Sequence, residues 1–259
     1  MRRVDPSSTL AFSHQVETEV FEHPARRRIF LMRHAEAAYV NADGSMVPDE
    51  RIVPLTARGR TQAARQSEAL NSIHFDRAIC SSLPRTQETA RIVLGDRQGI
   101  TLEPITALEE VKPGWQNVIE TLSPDEKRDW VARIANPWID AHDPNARFIG
   151  GETFGDFEAR VLPAWAKVLA DDSWTSLLAV LHGAVNRLLI HHMMLMPWGS
   201  VGIEQDNACI NVIDVDTAPR HRVILRMLNF TSYNPAKEGP WLTTMEEAAA
   251  RIAKNMTGD

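Results

Sequence analysis

The chain has 259 residues, of which 44% are apolar and 24% charged, values typical of a globular protein with one large domain or two small ones. Its formal net charge of −6 argues against nucleic acid as a partner, whereas a few local arginines could still bind a small anion. No apolar run approaches the ~20 residues of a membrane span, so we expect no membrane contact.

The N-terminal segment, residues 1–27, shows weak periodicity and is predicted to be an arm ahead of a single domain over residues 28–259. It lacks the apolar stretch of a signal peptide, so we expect a cytoplasmic protein. The basic run at 26–28 is predicted to be a solvated flank. Residues 29–32, Ile-Phe-Leu-Met, then form a short apolar run typical of a buried strand, which ends at Arg33-His34.

The next predicted helices begin at residues that are typical of helix N-termini. Thr56 is a candidate N-cap for a helix reaching about residue 73. Residues 78–80 are predicted to be a second strand, and Pro84 opens a helix that runs to about Val93. Residues 101–150, rich in Trp and Pro, are predicted to form a cap insertion over one end of the sheet.

The C-terminal half repeats the strand-to-helix pattern. Thr153 or Asp156 is predicted to cap a helix, and residues 177–181 form an apolar strand that ends at His182-Gly183 before another helix. Residues 210–215 and 223–228 are predicted to form a hairpin. This alternation predicts an α/β fold, a three-layer sandwich whose mainly parallel central sheet is flanked by helices.

Three segments bearing Arg or His follow predicted strands, at the edge where ligands gather in such sheets: Arg33-His34, residues 81–85 and His182. Phosphoryl transfer needs fixed cations around the equatorial oxygens, an in-line nucleophile and an acid for the leaving oxygen. Arg33 and Arg85 could bind phosphate through their guanidinium groups. Either histidine could attack, and Glu109 or Glu110 could supply the acid.

These residues sit in segments that resemble, in order, the motifs of the histidine phosphatase (phosphoglycerate mutase-like) superfamily. The matching segments are LMRHAEA at 31–37, PLTARGRTQA at 54–63, SSLPRTQETA at 81–90, LEEVKPGW at 108–115, GGETFGDFEARVLPAW at 150–165 and LAVLHGAVNRLLI at 178–190. The resemblance favours the phosphatase branch. It implies hydrolysis of a small phosphomonoester through a phosphohistidine, with no metal and no other cofactor.

The resemblance also implies a role for each matching residue. His34 would be the nucleophile and Glu110 the general acid, with Glu109 as the alternative. Arg33, Arg85 and His182 would bind the phosphoryl oxygens, and Gly183 would let the backbone approach them. Asn41, one position later than the family's usual Asn, would contact the substrate.

Three alternatives stay open at this stage. The chain could be a phosphoglycerate mutase, although residues 43–53 lack the mutase pattern. It could be a short protein phosphohistidine phosphatase, which its length disfavours, or a non-catalytic phospho-ligand-binding protein of the same fold. Adjacent His191 and His192 point about 100° apart on a helix and are not expected to chelate a metal. The two cysteines, Cys80 and Cys209, are expected to be buried apolar residues, and a homodimer is compatible with the sequence.

Overall fold

A six-stranded sheet lies between two layers of helices in the computed structural model, which describes residues 25–39, 47, 49–114, 122–217, 222–239 and 241–257. Its strands are β1 (Arg26–Arg33), β2 (Arg77–Cys80), β3 (Leu102–Pro104), β4 (Ser176–Leu181), β5 (Ile210–Asp216) and β6 (Val223–Phe230). The helices of the described part are α1 (Ala57–Ala69), α2 (Pro84–Leu94), α3 (Pro124–Ala135), α4 (Phe154–Ala170), α5 (Gly183–Met193) and α6 (Thr244–Thr257).

The strand order is β3-β2-β4-β1-β5-β6. Strands β1 to β4 pair in parallel, and β5 runs antiparallel to both β1 and β6. Ile29 and Leu31 of β1 pack with side chains of α4 and α5, whereas Phe30 and Met32 pack with those of α2 on the other face. The predicted three-layer α/β sandwich with a mainly parallel sheet is therefore confirmed.

Local capping explains where several helices begin. Thr56 and Thr153 each accept a hydrogen bond from a first-turn backbone N–H of α1 and α4, as their positions predict, and Pro84 occupies the first turn of α2. Cys80 and Cys209 are free and buried, as expected. None of the helices that the structure describes is long and apolar enough for a membrane span.

Two segments differ from the sequence-based expectations. Residues 26–28 belong to β1 rather than to a solvated flank, and the buried Arg27 guanidinium donates to the carbonyls of Leu169 and Asp171, at 2.6 Å each. Residues 102–104 pair with β2 as an edge strand, so the start of the segment predicted as a cap, 101–150, belongs to the sheet instead. Helix α6, which the sequence analysis did not predict, packs against α3.

Candidate active site

The two histidines leave neighbouring parallel strands at the same edge of the sheet. Arg33, the last residue of β1, is in register with Leu181, the last residue of β4. His34 and His182 follow directly, and the His34 backbone N–H donates to the Leu181 carbonyl at 2.9 Å. Their ring centroids lie 5.2 Å apart. The sheet itself therefore brings together the two imidazoles that the sequence placed at strand ends.

His34 is held as a neutral imidazole with Nε2 unprotonated. Its Nδ1 lies 2.7 Å from the Ala35 carbonyl oxygen, which can only accept, so Nδ1 carries the proton and Nε2 keeps a lone pair. The side chain is 1% exposed. Burial lowers its pKa well below the ordinary 6.5, and the positive charges of Arg85 and Arg33 lower it further.

His182 is oriented by a serine that the sequence analysis did not single out. Ser81 Oγ lies 2.7 Å from His182 Nε2. When the Ser81 hydroxyl donates, the imidazole proton lies on Nδ1, which is buried and has no hydrogen-bond partner among the described residues. Burial and the charge of Arg85 hold the pKa of His182 well below 6.5. His182 can thus donate one hydrogen bond to a ligand without carrying a charge.

Two arginines, Arg33 and Arg85, place positive charge near His34. Arg85 lies in the first turn of α2 and is fully buried, with its guanidinium 5.6 Å from the Tyr39 ring centroid. Arg33 donates through Nη1 to the Gln205 carbonyl and to Thr244 Oγ1. Within the described part of the chain, the buried Arg33 Nε has no partner. A buried N–H of this kind costs free energy unless an acceptor reaches it, so the site suits an anion.

Gly183 leaves space where the anion would lie. A Cβ atom built on Gly183 would sit 3.5 Å from Arg33 Nε and 3.8 Å from Glu110 Oε2. Gly183 is also the first residue of α5, whose N-terminal backbone N–H groups favour negative charge. The absence of a side chain therefore keeps open the space between the arginine and the carboxylate.

The adjacent glutamates Glu109 and Glu110 have different partners. Glu109 is buried, forms two hydrogen bonds of 3.0 and 3.1 Å with the Arg51 guanidinium, and also accepts from the Ser82 hydroxyl. Glu110 instead points to the start of α5, where its Oε2 accepts from the Ala184 N–H at 3.3 Å. Of the two carboxylates, Glu110 is the one beside Gly183 and Arg33.

A clamp from α4 holds the glutamate segment in place. Arg160 donates to the carbonyls of Ala107, Glu109 and Glu110 at 2.8–2.9 Å and forms an ion pair with Glu152 at 2.7 Å. Gly151 makes this close packing feasible, because a Cβ there would lie 2.0 Å from the Lys112 carbonyl oxygen. The GGET segment and Arg160 thus position a loop some fifty residues earlier in the chain.

A second support fixes the loop after His34. A Cβ on Gly59 would lie 2.1 Å from the Glu36 carbonyl oxygen, so only glycine allows α1 to approach this closely. Gln62, on the same helix, accepts from the Glu36 N–H at 3.0 Å, and Thr89 accepts from the Ala35 N–H at 3.0 Å. The conformation of this loop therefore depends on α1 and α2.

Comparison with known proteins shows which family the chain resembles. A sequence model of the histidine phosphatase superfamily (branch 1) matches residues 29–229. The chain is 32% identical over 204 residues, covering 78% of the chain and 95% of the relative, to the adenosylcobalamin/alpha-ribazole phosphatase of Escherichia coli K12. It is 29% identical over 197 residues (74% and 86%) to an Enterobacter protein named "Probable phosphoglycerate mutase GpmB". The crystal structure of the alpha-ribazole phosphatase from Shigella flexneri superposes with a TM-score of 0.61 at 30% identity, over 78% of this chain and 96% of that one.

The chain belongs to the histidine phosphatase superfamily. Membership confirms the predicted family and the predicted class of enzyme, a phosphatase of the histidine type. The structure of this histidine phosphatase brings together six residues singled out from the sequence: Arg33, His34, Arg85, Glu110, His182 and Gly183. Asn41 lies outside the described residues. Sequence reasoning missed Ser81 and Arg160, although both belong to the matching motifs.

The two active-site imidazoles of this histidine phosphatase should stay neutral in mild acid. The pKa values of His34 and His182 are lower in the folded protein than the ordinary value of about 6.5. Below that pH each imidazole takes up a proton when the protein unfolds, so the free energy of unfolding falls as the pH falls. Nitrogen NMR of labelled histidine, assigned with His34→Asn and His182→Asn, should show both rings neutral from pH 7 to pH 6. A midpoint above pH 6.5 for either ring would contradict this electrostatic description.

Proposed function

We propose that this histidine phosphatase hydrolyses small phosphomonoesters through a phosphohistidine on His34. The observation that carries the proposal is the buried cluster in which a neutral imidazole, with Nε2 free to attack, faces a second imidazole and two arginines. Two donors of that cluster, Arg33 Nε and His182 Nδ1, have no partner among the described residues. A phosphoryl group would accept from both.

In the first step, His34 Nε2 attacks phosphorus, the N–P bond forms and the bond to the ester oxygen breaks. Arg33, Arg85 and His182 stabilise the charge on the equatorial oxygens. Glu110 in its acid form gives a proton to the leaving oxygen. In the second step, water gives a proton to Glu110 and attacks phosphorus, the N–P bond breaks and phosphate leaves.

Glu110 is assigned as the acid because the neighbouring carboxylate, Glu109, is already bound by other side chains. The Glu109 carboxylate is hydrogen-bonded to the Arg51 guanidinium and to the Ser82 hydroxyl, which fixes its position on the side of Ser82. Glu110 accepts backbone N–H groups from Val111 and Ala184 and lies beside Gly183. It is therefore the carboxyl group that the leaving oxygen would meet as the bond between phosphorus and His34 forms.

The positive charge of the arginines would stabilise the phosphoryl oxygens, as a metal ion does in other phosphatases. We therefore expect the protein to be active without a metal ion. The described residues contain no group of three or more metal-ligating side chains. His191 is buried and His192 exposed, in line with their predicted divergence on α5. A role for Asn41, a cytoplasmic location and a homodimer remain predictions from the sequence.

Hydrolysis should exceed mutase activity by a wide margin. A mutase must keep water from its phosphoenzyme until the second transfer, and residues 43–53 lack the mutase pattern. With EDTA present, phosphate release from a panel of phosphomonoesters that includes alpha-ribazole phosphate should proceed unchanged. Conversion of 3-phosphoglycerate to 2-phosphoglycerate, measured in parallel with and without 2,3-bisphosphoglycerate, should be much slower. Efficient isomerisation would identify a mutase, and loss of activity in EDTA would show a metal requirement.

A further inference from the structure

Helix α6 contacts the phosphoryl site although it lies beyond the family match. The match to the family model ends at residue 229, whereas α6 spans Thr244–Thr257. The first residue of α6, Thr244, accepts a hydrogen bond of 3.2 Å from Arg33 Nη1 through its Oγ1. A residue outside the matched part of the chain thus contacts one of the two arginines of the site.

The direction of the hydrogen bonds at Thr244 is set by Glu204. Glu204 forms an ion pair with Arg187, whose Nη2 donates to Oε2 at 2.6 Å, and a carboxylate in such a pair can only accept. The Thr244 hydroxyl, 3.0 Å from Glu204 Oε1, therefore points its proton at the carboxylate. The Thr244 backbone N–H donates to the same oxygen at 3.2 Å. The hydroxyl oxygen of Thr244 is left to accept from Arg33.

The position of Thr244 is fixed by contacts that do not involve Arg33. At the start of α6, the Thr243 N–H donates to the Glu246 carboxylate at 2.7 Å, and the Glu246 N–H donates to Thr243 Oγ1 at 3.2 Å. This reciprocal pair is a capping box. Farther along, α6 packs against α3. Thr244 therefore holds Arg33 from a helix whose own place is already determined.

The second partner of Arg33 Nη1 is the backbone carbonyl of Gln205. The buried side chain of Gln205 is itself fixed, because Oε1 accepts from Asn186 at 3.1 Å and from Asn211 at 2.8 Å. Nη1 carries two hydrogens, and these two acceptors use both, which sets the plane of the guanidinium. The Arg33 Nε–H is thereby directed to the space that Gly183 leaves open, 3.5 Å from a Cβ built there.

Both groups that hold Arg33 Nη1 are neutral, one a carbonyl and the other a hydroxyl. Neutral acceptors orient a guanidinium without cancelling its charge, whereas a carboxylate in the same place would compete with a bound anion. The Glu204 carboxylate lies one hydrogen bond farther away, and its charge is paired with Arg187. The arrangement therefore keeps the charge of Arg33 available to a phosphoryl group.

We propose that Thr244, held by Glu204, is a positioning residue that directs Arg33 Nε toward the phosphoryl group. The inference rests on the proposed function, in which Arg33 binds the phosphoryl oxygens. It does not need hydrolysis, because inorganic phosphate would meet the same N–H. Loss of the Thr244 hydroxyl would leave one Nη1 hydrogen unpaired and let the guanidinium turn toward another acceptor. We therefore expect the phosphate affinity of the site to depend on a hydroxyl at position 244.

The test measures the binding of inorganic phosphate by isothermal titration calorimetry, which needs no turnover. Thr244→Val keeps the shape of the side chain and removes the hydroxyl, so the Kd for phosphate should rise about fivefold. Thr244→Ser keeps the hydroxyl and should restore the Kd to within about twofold of the native value. Nitrogen NMR gives a direct readout, because the Arg33 Nε–H signal, assigned by its loss in Arg33→Lys, should shift as the native protein takes up phosphate.

Thr243→Val is the matched control, with the same substitution one residue earlier. It removes a capping hydrogen bond of α6 but leaves the contact between Thr244 and Arg33, so the Kd for phosphate should stay within about twofold of the native value. Native affinity in Thr244→Val, equal losses in the two valine variants, or an Arg33 Nε–H signal that phosphate leaves unchanged would overturn the proposal.

The same measurements separate this inference from the proposed function. A protein that binds phosphate in a way that depends on Thr244, yet hydrolyses no phosphomonoester, would support the positioning of Arg33 and contradict hydrolysis through His34. A protein that hydrolyses phosphomonoesters equally well with Thr244→Val, and binds phosphate equally well, would support the proposed function and contradict the role of Thr244.

Discussion

Replacing His34 by alanine should lower phosphomonoester turnover by about 10⁴-fold, because the attacking nitrogen is lost while the arginines remain. Rapid quenching of the native protein with labelled substrate should trap a phosphoenzyme that is labile in acid and stable in base, as an N–P bond is. His34→Ala should give no such adduct. The measurement tests the nucleophile directly, independently of which alcohol the enzyme prefers.

His74→Ala serves as the control for the loss of a histidine, since His74 is exposed and lies outside the matching motifs, between residues 63 and 81. It should retain both the adduct and native turnover. Far-ultraviolet circular dichroism of His34→Ala would show whether the fold survives the change. An acid-stable adduct, or native activity in His34→Ala, would place the nucleophile elsewhere.

Replacing Glu110 by glutamine should have an effect that depends on the leaving group. Glutamine cannot give a proton to the departing oxygen, so hydrolysis of an alkyl phosphate should fall by about 10²- to 10³-fold. p-Nitrophenyl phosphate needs little protonation of its leaving oxygen, and its hydrolysis should fall far less. Steady-state kcat measured on both substrates gives the comparison.

Glu109→Gln is the matched control, with the same chemical change one residue earlier. It weakens the contact with Arg51, so any loss should be similar on the two substrates. A strong leaving-group dependence in Glu109→Gln, together with equal losses in Glu110→Gln, would exchange the roles of the two glutamates.

The strands that carry the histidines could be predicted because each is a short apolar run that ends at a charged or polar residue. Residues 29–32 and 177–181 are buried on both faces, which selects continuous apolar sequence. The edge strand β3 could not be predicted, since its three residues are at most partly buried and include a proline. Nothing local distinguishes such a strand from a loop.

The active-site residues could be predicted better than the residues that hold them. Arginine and histidine at strand ends are informative on their own, whereas Ser81 matters through a contact with His182, about a hundred residues later in the chain. Arg160 acts on carbonyl groups, which every residue has, so its targets leave no trace in the sequence. The interaction of Thr244 with Arg33 likewise depends on the placement of α6.

His34 and His182 directly follow two adjacent strands, and this limits how such an enzyme can diversify. Because each residue directly follows the last residue of its strand, the pairing of β1 with β4, at the ~4.8 Å spacing of hydrogen-bonded strands, brings the two rings to 5.2 Å. Insertions or deletions after β3 or after α5 can occur while this separation stays the same. The spacing of the two histidines is thus encoded in the sheet, and selection can alter the segments that follow β3 and α5 while conserving that spacing.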